Sequence, residues 1–368
     1  MMQDIFNQMV AKQASDLFVT AGLPVSVKLN GELVPLLGEQ LTEQQSAELV
    51  RNCMSEKQKQ QFEQERECNF ALANEAGRFR ISAFWQREKV GMVVRRIVTE
   101  IPKVESLGLP STLKDVIMAK RGLVLFVGGT GTGKSTSLAA LLGHRNENSK
   151  GHILTIEDPI EFVHEHKNCV VTQREVGLDT PSFESALKSS LRQAPDVILI
   201  GEIRSQEIME YALSFAETGH LCVATLHANN ANQAIDRIMH LVPKELHEKL
   251  KFDLALNLKA IVAQQLVPTS DGRGRAAAIE ILLNSPMVAE LIKNGEISGI
   301  KEVMAKSKEM GMQTFDQALF ELYKAGTISY DNALHHADAP NDLRLMIKLE
   351  SSDSGGSGAL SGVTIDGL

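Results

Sequence analysis

No stretch of the 368-residue chain approaches the roughly 20 consecutive apolar residues that a membrane-spanning helix needs. Its strongest short runs, Leu123–Val127 and Val197–Ile200, have strand length. The opening residues, MMQDIFNQMVAKQ, lack the basic segment and apolar core of a secretory signal. Cysteine is scarce and scattered: Cys53, Cys68, Cys169 and Cys222 form no C-x-x-C pair. That spacing argues against a zinc ribbon or a redox dithiol and for reduced, buried thiols in the cytoplasm. Positive charge is in deficit, 38 Lys+Arg against 46 Asp+Glu, for a net charge of −8. An acidic balance disfavours a nucleic-acid binder, whose phosphate contacts want a basic face. The last stretch, residues 351–368 (SSDSGGSGALSGVTIDGL), has no Lys or Arg and little that a core can use. It is expected to be a disordered tail, because so little apolar burial cannot offset the cost of ordering the backbone.

What is present is an ordinary globular composition, 43% hydrophobic and 23% charged, on a chain long enough for about two domains. Residues 1–101 read as a small α+β domain. Short alternating runs occur at Leu17–Thr20, Val25–Leu29 and Glu32–Leu36 with a turn at Gly31, and a helical stretch spans about Thr42 to Arg66. Two further strands, Arg78–Trp85 and Val90–Val98, flank the polar turn Gln86-Arg87-Glu88-Lys89. Pro102 and Gly108-Leu109-Pro110 mark a linker over 102–121. Within 122–284, buried-type strands alternate with helical patterns, at Leu123–Val127, Ile153–Glu157, Val197–Gly201 and Cys222–Thr225. Such alternation predicts an α/β fold with a parallel sheet. From 285 to 350 the pattern is helical, starting at Ser285-Pro286 and punctuated by Gly295, Gly311 and Gly326, which predicts a small helical appendage.

The chemistry concentrates in the α/β part. Gly128-Gly129-Thr130-Gly131-Thr132-Gly133-Lys134-Ser135 fits G-x-x-x-x-G-K-[ST] and sits between an apolar strand and the helical pattern beginning at Thr136. Its glycines let backbone N–H groups turn towards phosphates, and the helix N-terminus adds partial positive charge. In this motif Lys134 neutralises the β- and γ-phosphates of ATP and the Ser135 hydroxyl ligates Mg²⁺. Hydrolysis also needs carboxylates, and two strands end on them: Thr155-Ile156-Glu157-Asp158-Pro159, and Ile198-Leu199-Ile200-Gly201-Glu202. Ligands bind at this end of open parallel sheets. A third strand is bracketed by His220 and His227, and a neutral imidazole after a strand end is placed to sense a γ-phosphate.

In this order and spacing the elements resemble the secretion ATPases, and within them the type IV pilus retraction ATPases (the PilT/PilU family), over nearly the whole chain to about residue 350. Gly128–Ser135 matches the family's Walker A loop, Thr155–Glu161 its Asp box, Ile198–Arg204 its atypical Walker B, and Thr218–His227 its His box. The resemblance implies a RecA-like parallel-sheet P-loop domain behind a PAS-like N-terminal domain, in a homo-hexameric ring with ATP between subunits. Glu157 would polarise the attacking water, Glu202 would hold Mg²⁺ through water, and His227 would contact the γ-phosphate. Arginines of the N-terminal domain would serve as fingers, the candidates being Arg80, Arg87, Arg95 and Arg96, with Arg80 and Arg96 foremost. The implied work is pilin removal from the fibre base and twitching motility. It would be done by a cytoplasmic protein, peripheral at the inner-membrane base, against a platform protein and beside a paralogous retraction ATPase.

Assembly ATPases of the superfamily carry a tetracysteine zinc insertion and extra N-terminal sequence; neither is seen here, which points to retraction. Departures from the retraction pattern are Gly129 and Thr132 in the loop, Gly177 where one branch has His, and Val288–Gly295 as a diverged helical motif. The divergence keeps open an accessory subunit that reinforces a sister motor. A nucleic-acid translocase on the same core is a further alternative, disfavoured by the charge.

Overall fold

The computed structural model describes residues 2–29, 31–97 and 100–353, and these form two compact units, one of the described residues up to Ile101 with Glu161–His164, the other of Pro102–Ile160 with the described residues from Glu165 onward.

The first unit opens with α1 (Met2–Ala11), then β1 (Asp16–Thr20), β2 (Pro24–Leu29) and β3 (Glu32–Gln40). Next come α2 (Glu43–Arg51), α3 (Glu56–Glu65), β4 (Glu67–Asn74), β5 (Gly77–Gln86) and β6 (Lys89–Ile97). All six strands pair antiparallel in the order β3-β2-β1-β6-β5-β4. The core lies on one face of this sheet, where Ile5, Phe6 and Met9 of α1, Leu49 of α2 and Phe62 of α3 meet Leu17, Val19, Phe79, Ile81, Met92 and Val94. The single helix expected over Thr42–Arg66 is in fact two. Thr42 with Gln45 and Ser55 with Gln58 each form a complete capping box, so Ser55 starts a new helix where the first has ended at Asn52. Each such cap contributes about 1 kcal/mol.

The second unit begins with residues 102–121, the expected linker. These fold back as a short turn of helix and α4 (Thr112–Ile117), burying Val104, Leu113, Val116 and Ile117. Arg145 holds them, its guanidinium donating to the carbonyls of Ile117 (2.6 Å) and Ala119 (2.7 Å). Then come β7 (Gly122–Val127), α5 (Lys134–Asn148), β8 (Gly151–Glu157), β9 (Cys169–Glu175), α6 (Phe183–Ser190), β10 (Val197–Ile200), α7 (Gln206–Glu217) and β11 (Leu221–Leu226). The unit continues through α8 (Ala231–Met239), α9 (His247–Asn257), β12 (Leu258–Pro268) and β13 (Arg275–Leu283). Five further helices close it: α10 (Pro286–Asn294), α11 (Ile300–Lys306), α12 (Phe315–Lys324), α13 (Tyr330–His336) and α14 (Pro340–Asp353).

The seven-stranded sheet runs β13-β12-β7-β11-β10-β8-β9, parallel throughout except for β13. β7, β10 and most of β11 are buried along their length, as continuous apolar runs covered on both faces must be. The expected α/β architecture, with a parallel-sheet domain, an α+β N-terminal domain and a helical appendage, is thus the one observed, and the N-terminal sheet proves antiparallel. Of the tail expected over 351–368, α14 takes in residues through Asp353, and the remainder, 354–368, lies outside the described residues. All four cysteines are free and buried. Among the described residues no helix is long and apolar enough to cross a membrane.

Candidate active site

Strand order assembles the site. β7, β11, β10 and β8 are consecutive neighbours, so their C-terminal ends bring four groups to one edge of the sheet: the glycine loop after Val127, His227 after Leu226, Glu202 after Ile200, and Glu157 closing β8. Residues widely separated in sequence meet because four parallel strands end together.

The loop is shaped for an anion. Gly133 has φ +84° and caps α5, and no side chain caps that helix, so its first-turn N–H groups point into the loop. A Cβ on Gly133 would stand 2.8 Å from the side-chain nitrogen of Gln264, so both backbone conformation and space demand glycine. Lys134 Nζ lies inside the curl, donating to the carbonyls of Gly128 and Gly129 at 2.7 Å each. The loop fits the polyphosphate of a nucleotide on these grounds. Ser135 and Thr136 stand next on the first turn of α5, where the hydroxyl of Ser135 has the position that its motif assigns to the metal ligand.

Glu157 is oriented by its neighbours: Thr155 Oγ1 donates to its Oε1 at 2.6 Å and Gln173 Nε2 at 3.2 Å. Thr155 and Gln173 are register partners across β8 and β9, so the sheet itself aims the carboxylate. Glu202 is held from two sides, by Arg204 Nε on Oε2 (2.6 Å) and by His227 Nε2 at 3.2 Å from Oε1. Arg204 extends to Asp158 Oδ2 at 3.3 Å, tying both acidic strand ends together. The hydrogen bond that it donates to Glu202 is the largest influence holding the Arg204 guanidinium above its ordinary pKa. Thr225 Oγ1 donates to the Gly201 carbonyl, and Ile203 N to that of Thr225 (2.9 Å), which fixes Glu202 beside the histidine strand.

Gly201 is a matter of close approach. A Cβ there would meet Glu157 Cα at 3.0 Å and the Ile156 carbonyl at 3.1 Å, both backbone atoms. Gly201→Ala is expected to cost about 1–3 kcal/mol by overpacking and to slow turnover by parting Glu157 from Glu202. Thermal unfolding beside phosphate release checks this; an unchanged Tm would mean that the two strand ends separate freely.

The arginines stand on the sheet of the first unit. Arg80 and Arg95 are direct cross-strand partners and share a face, and Arg95 Nε is paired to Asp16 at 2.8 Å. Arg96 lies opposite Phe79, on the other face from Arg80, and Arg87 occupies the β5–β6 turn with φ +48°. His220 is engaged at the far end of β11, near Thr218 and the Phe215 carbonyl, away from the site edge.

Sequence reasoning passed over Thr155, Gln173, Arg204, Thr225 and Gln264 as site residues. Gln264 is buried in β12 and donates to the Thr132 carbonyl at 2.9 Å, bracing the glycine loop from the next strand, and its Oε1 has no partner among the described residues. The signal was available: each of Thr155, Thr225 and Gln264 is a polar side chain next to apolar residues of a strand, a placement that demands a partner.

Comparison with known proteins shows the family and the fold. The family model for type II/IV secretion system proteins matches residues 1–325. The chain is 61% identical over 350 residues to the type IV pilus ATPase PilU of Pseudomonas aeruginosa, covering 95% of this chain and 92% of that one. It is 41% identical over 334 residues to the type IV pilus retraction ATPase PilT of the same organism, covering 90% and 97%. Among solved structures, the pilus retraction motor PilT with bound ADP superposes with a TM-score of 0.87 at 38% identity, over 93% of this chain and 98% of that one.

Proposed function

Because the chain belongs to the type II/IV secretion system protein family, we propose that this ATPase is a motor for type IV pilus retraction. The observation that carries the reading is the convergence of the glycine loop, Glu157, Glu202 and His227 on four adjacent strand ends.

In this reading the loop N–H groups and Lys134 hold the phosphates of ATP, and Ser135, with Glu202 through water, holds Mg²⁺. Bound there, the ion neutralises charge on the β- and γ-phosphates. Glu157, aimed by Thr155 and Gln173, polarises the water that attacks the γ-phosphate. His227 contacts the γ-phosphate and, through Glu202, reports its loss. The arginine role falls to Arg80 acting on a neighbouring subunit's nucleotide within a homo-hexamer. Of the two guanidinium groups opposite each other on one face, Arg95 is already engaged by Asp16, which leaves Arg80 to take an outside anion. Arg96 would have to reach from the other face. The motor works in the cytoplasm at the inner-membrane base of the pilus machine, against its platform protein.

Deleting the gene is expected to leave surplus, immobile pili; loss of pili would instead indicate an assembly motor. A second reading, an accessory ATPase that reinforces a sister motor, is favoured by the divergence of Val288–Gly295, which forms α10 and its glycine cap. Retraction that persists after the sister motor is removed sinks that second reading.

A further inference from the structure

Glu280 is a buried acid that the hydrolytic chemistry does not use. It sits in β13 at 2% exposure, and its place in the sheet is telling. In register, Glu280 lies opposite Ala263 of β12, Ala263 opposite Val127 of β7, and Val127 opposite Leu226 of β11. One row across four strands therefore contains the residue before the glycine loop, the residue before His227, and Glu280.

From that row, Glu280 Oε1 accepts a 2.7 Å hydrogen bond from the backbone N–H of Ala231, the first residue of α8. Only His227, Ala228, Asn229 and Asn230 separate β11 from α8, so this short loop is pinned by the sheet at one end and by Glu280 at the other. A carboxylate at a helix N-terminus also gains from the helix dipole. The helix cap is shared with the C-terminal helices. Asn230, which caps α8 through its side chain, donates to Asp338 Oδ2 at 3.3 Å. Lys301 of α11 pairs with that oxygen at 2.8 Å. Asp316 of α12 accepts from the backbone N–H of Asp338 at 2.8 Å and of Ala339 at 3.2 Å.

We propose that Glu280 is a positioning residue for ATP hydrolysis: it fixes α8 and thereby His227 against Glu202, and the Asp338 bridge makes that hold responsive to helices α11 to α14. The inference rests on the reading of His227 as the group at the γ-phosphate. The charged groups acting on Glu280 are Asp338 and Lys301, and Asp316 in turn acts on both of those. Burial pushes Glu280 up to about 7, against the Ala231 hydrogen bond and with help from the charge of Asp338. Burial also raises Asp316; it opposes Lys301, which its bond to Asp338 raises. Ionised Glu280 grips the Ala231 N–H more strongly than the protonated acid does, so hydrolysis should rise with pH through neutrality.

The test measures kcat and KM for ATP across about pH 5.5–8.5 in the parent chain and in Glu280→Gln, Glu280→Ala and His227→Ala. Glu280→Gln keeps the acceptor and the shape but cannot ionise. It should lose the parental rise centred near pH 7 while KM stays within about twofold. Glu280→Ala should lower kcat roughly tenfold at pH 8. A Glu280→Gln profile that keeps the parental rise overturns the proposal, as does Glu280→Ala with parental kcat. Should Glu280→Ala fail to fold, the glutamine variant decides. His227→Ala with undiminished turnover overturns the His227 reading and this inference with it, whereas impaired His227→Ala beside an unaltered Glu280→Gln profile overturns the inference alone.

Discussion

Lys134→Ala is expected to lower the rate of ATP hydrolysis by on the order of 10²–10³-fold, the usual loss when a preorganised donor at a charge-developing site is removed. The ammonium lies 2.7 Å from two loop carbonyls, already inside the curl where phosphates bind, so little reorganisation separates it from its task. No other side chain supplies positive charge from within the loop, whose remaining members are Gly, Thr and Ser. The fold should survive, because the loop is braced independently by Gln264 on the Thr132 carbonyl and by the Thr132 hydroxyl on Gly129. Lys134→Arg is a poor substitute, since a planar fork replaces a compact charge. Phosphate release at saturating ATP, with thermal unfolding as the control, checks this; parental turnover in a folded Lys134→Ala chain would remove the loop from the catalytic site.

That loop was legible in the sequence because its determinants are local. Glycines, a lysine and a helix start occupy eight consecutive positions, and the φ of Gly133 with no side-chain cap on α5 is what the motif demands. The apolar runs of β7, β8, β10 and β11 were legible for a similar reason, since strands covered on both faces are hydrophobic throughout. β9, by contrast, is an edge strand whose burial is broken, and CVVTQRE carries no clean period. α1 was missed where the chain offered no cap signal. Ser55-Glu56-Lys57-Gln58 did offer one, and the charged stretch around it masked the break between two helices. The supports of the site were out of reach for another reason: they depend on register. Gln173 reaches Glu157 because it faces Thr155 across a parallel pair, and Glu280 reaches α8 because the neighbouring strands align. A sequence names the catalytic side chains by their types, but the hydrogen bonds that aim them are properties of strand order.

The same network makes the two acidic variants distinguishable. Glu157→Gln preserves the acceptor of Thr155 and Gln173 and removes only the charge that polarises water. It should cut kcat by about 10²–10³-fold with ATP affinity retained, so ATP accumulates on the protein. Glu202→Gln should cut kcat comparably but by a different route. Its carboxylate is the common partner of Arg204 and His227 through separate oxygens, and a neutral amide keeps one acceptor oxygen but loses the charge that pairs with Arg204. Asp158, at 3.3 Å, is then the only carboxylate paired with Arg204. With the charge on the metal's outer contact gone, Mg²⁺ should no longer improve ATP binding as it does in the parent, while binding of metal-free ATP to the loop is unaltered. Titrating a fluorescent ATP analogue with and without Mg²⁺ separates the two variants. Equal Mg²⁺ enhancement in Glu202→Gln and the parent would transfer the metal role away from β10, and with it the reason for Gly201 to hold that strand end against β8.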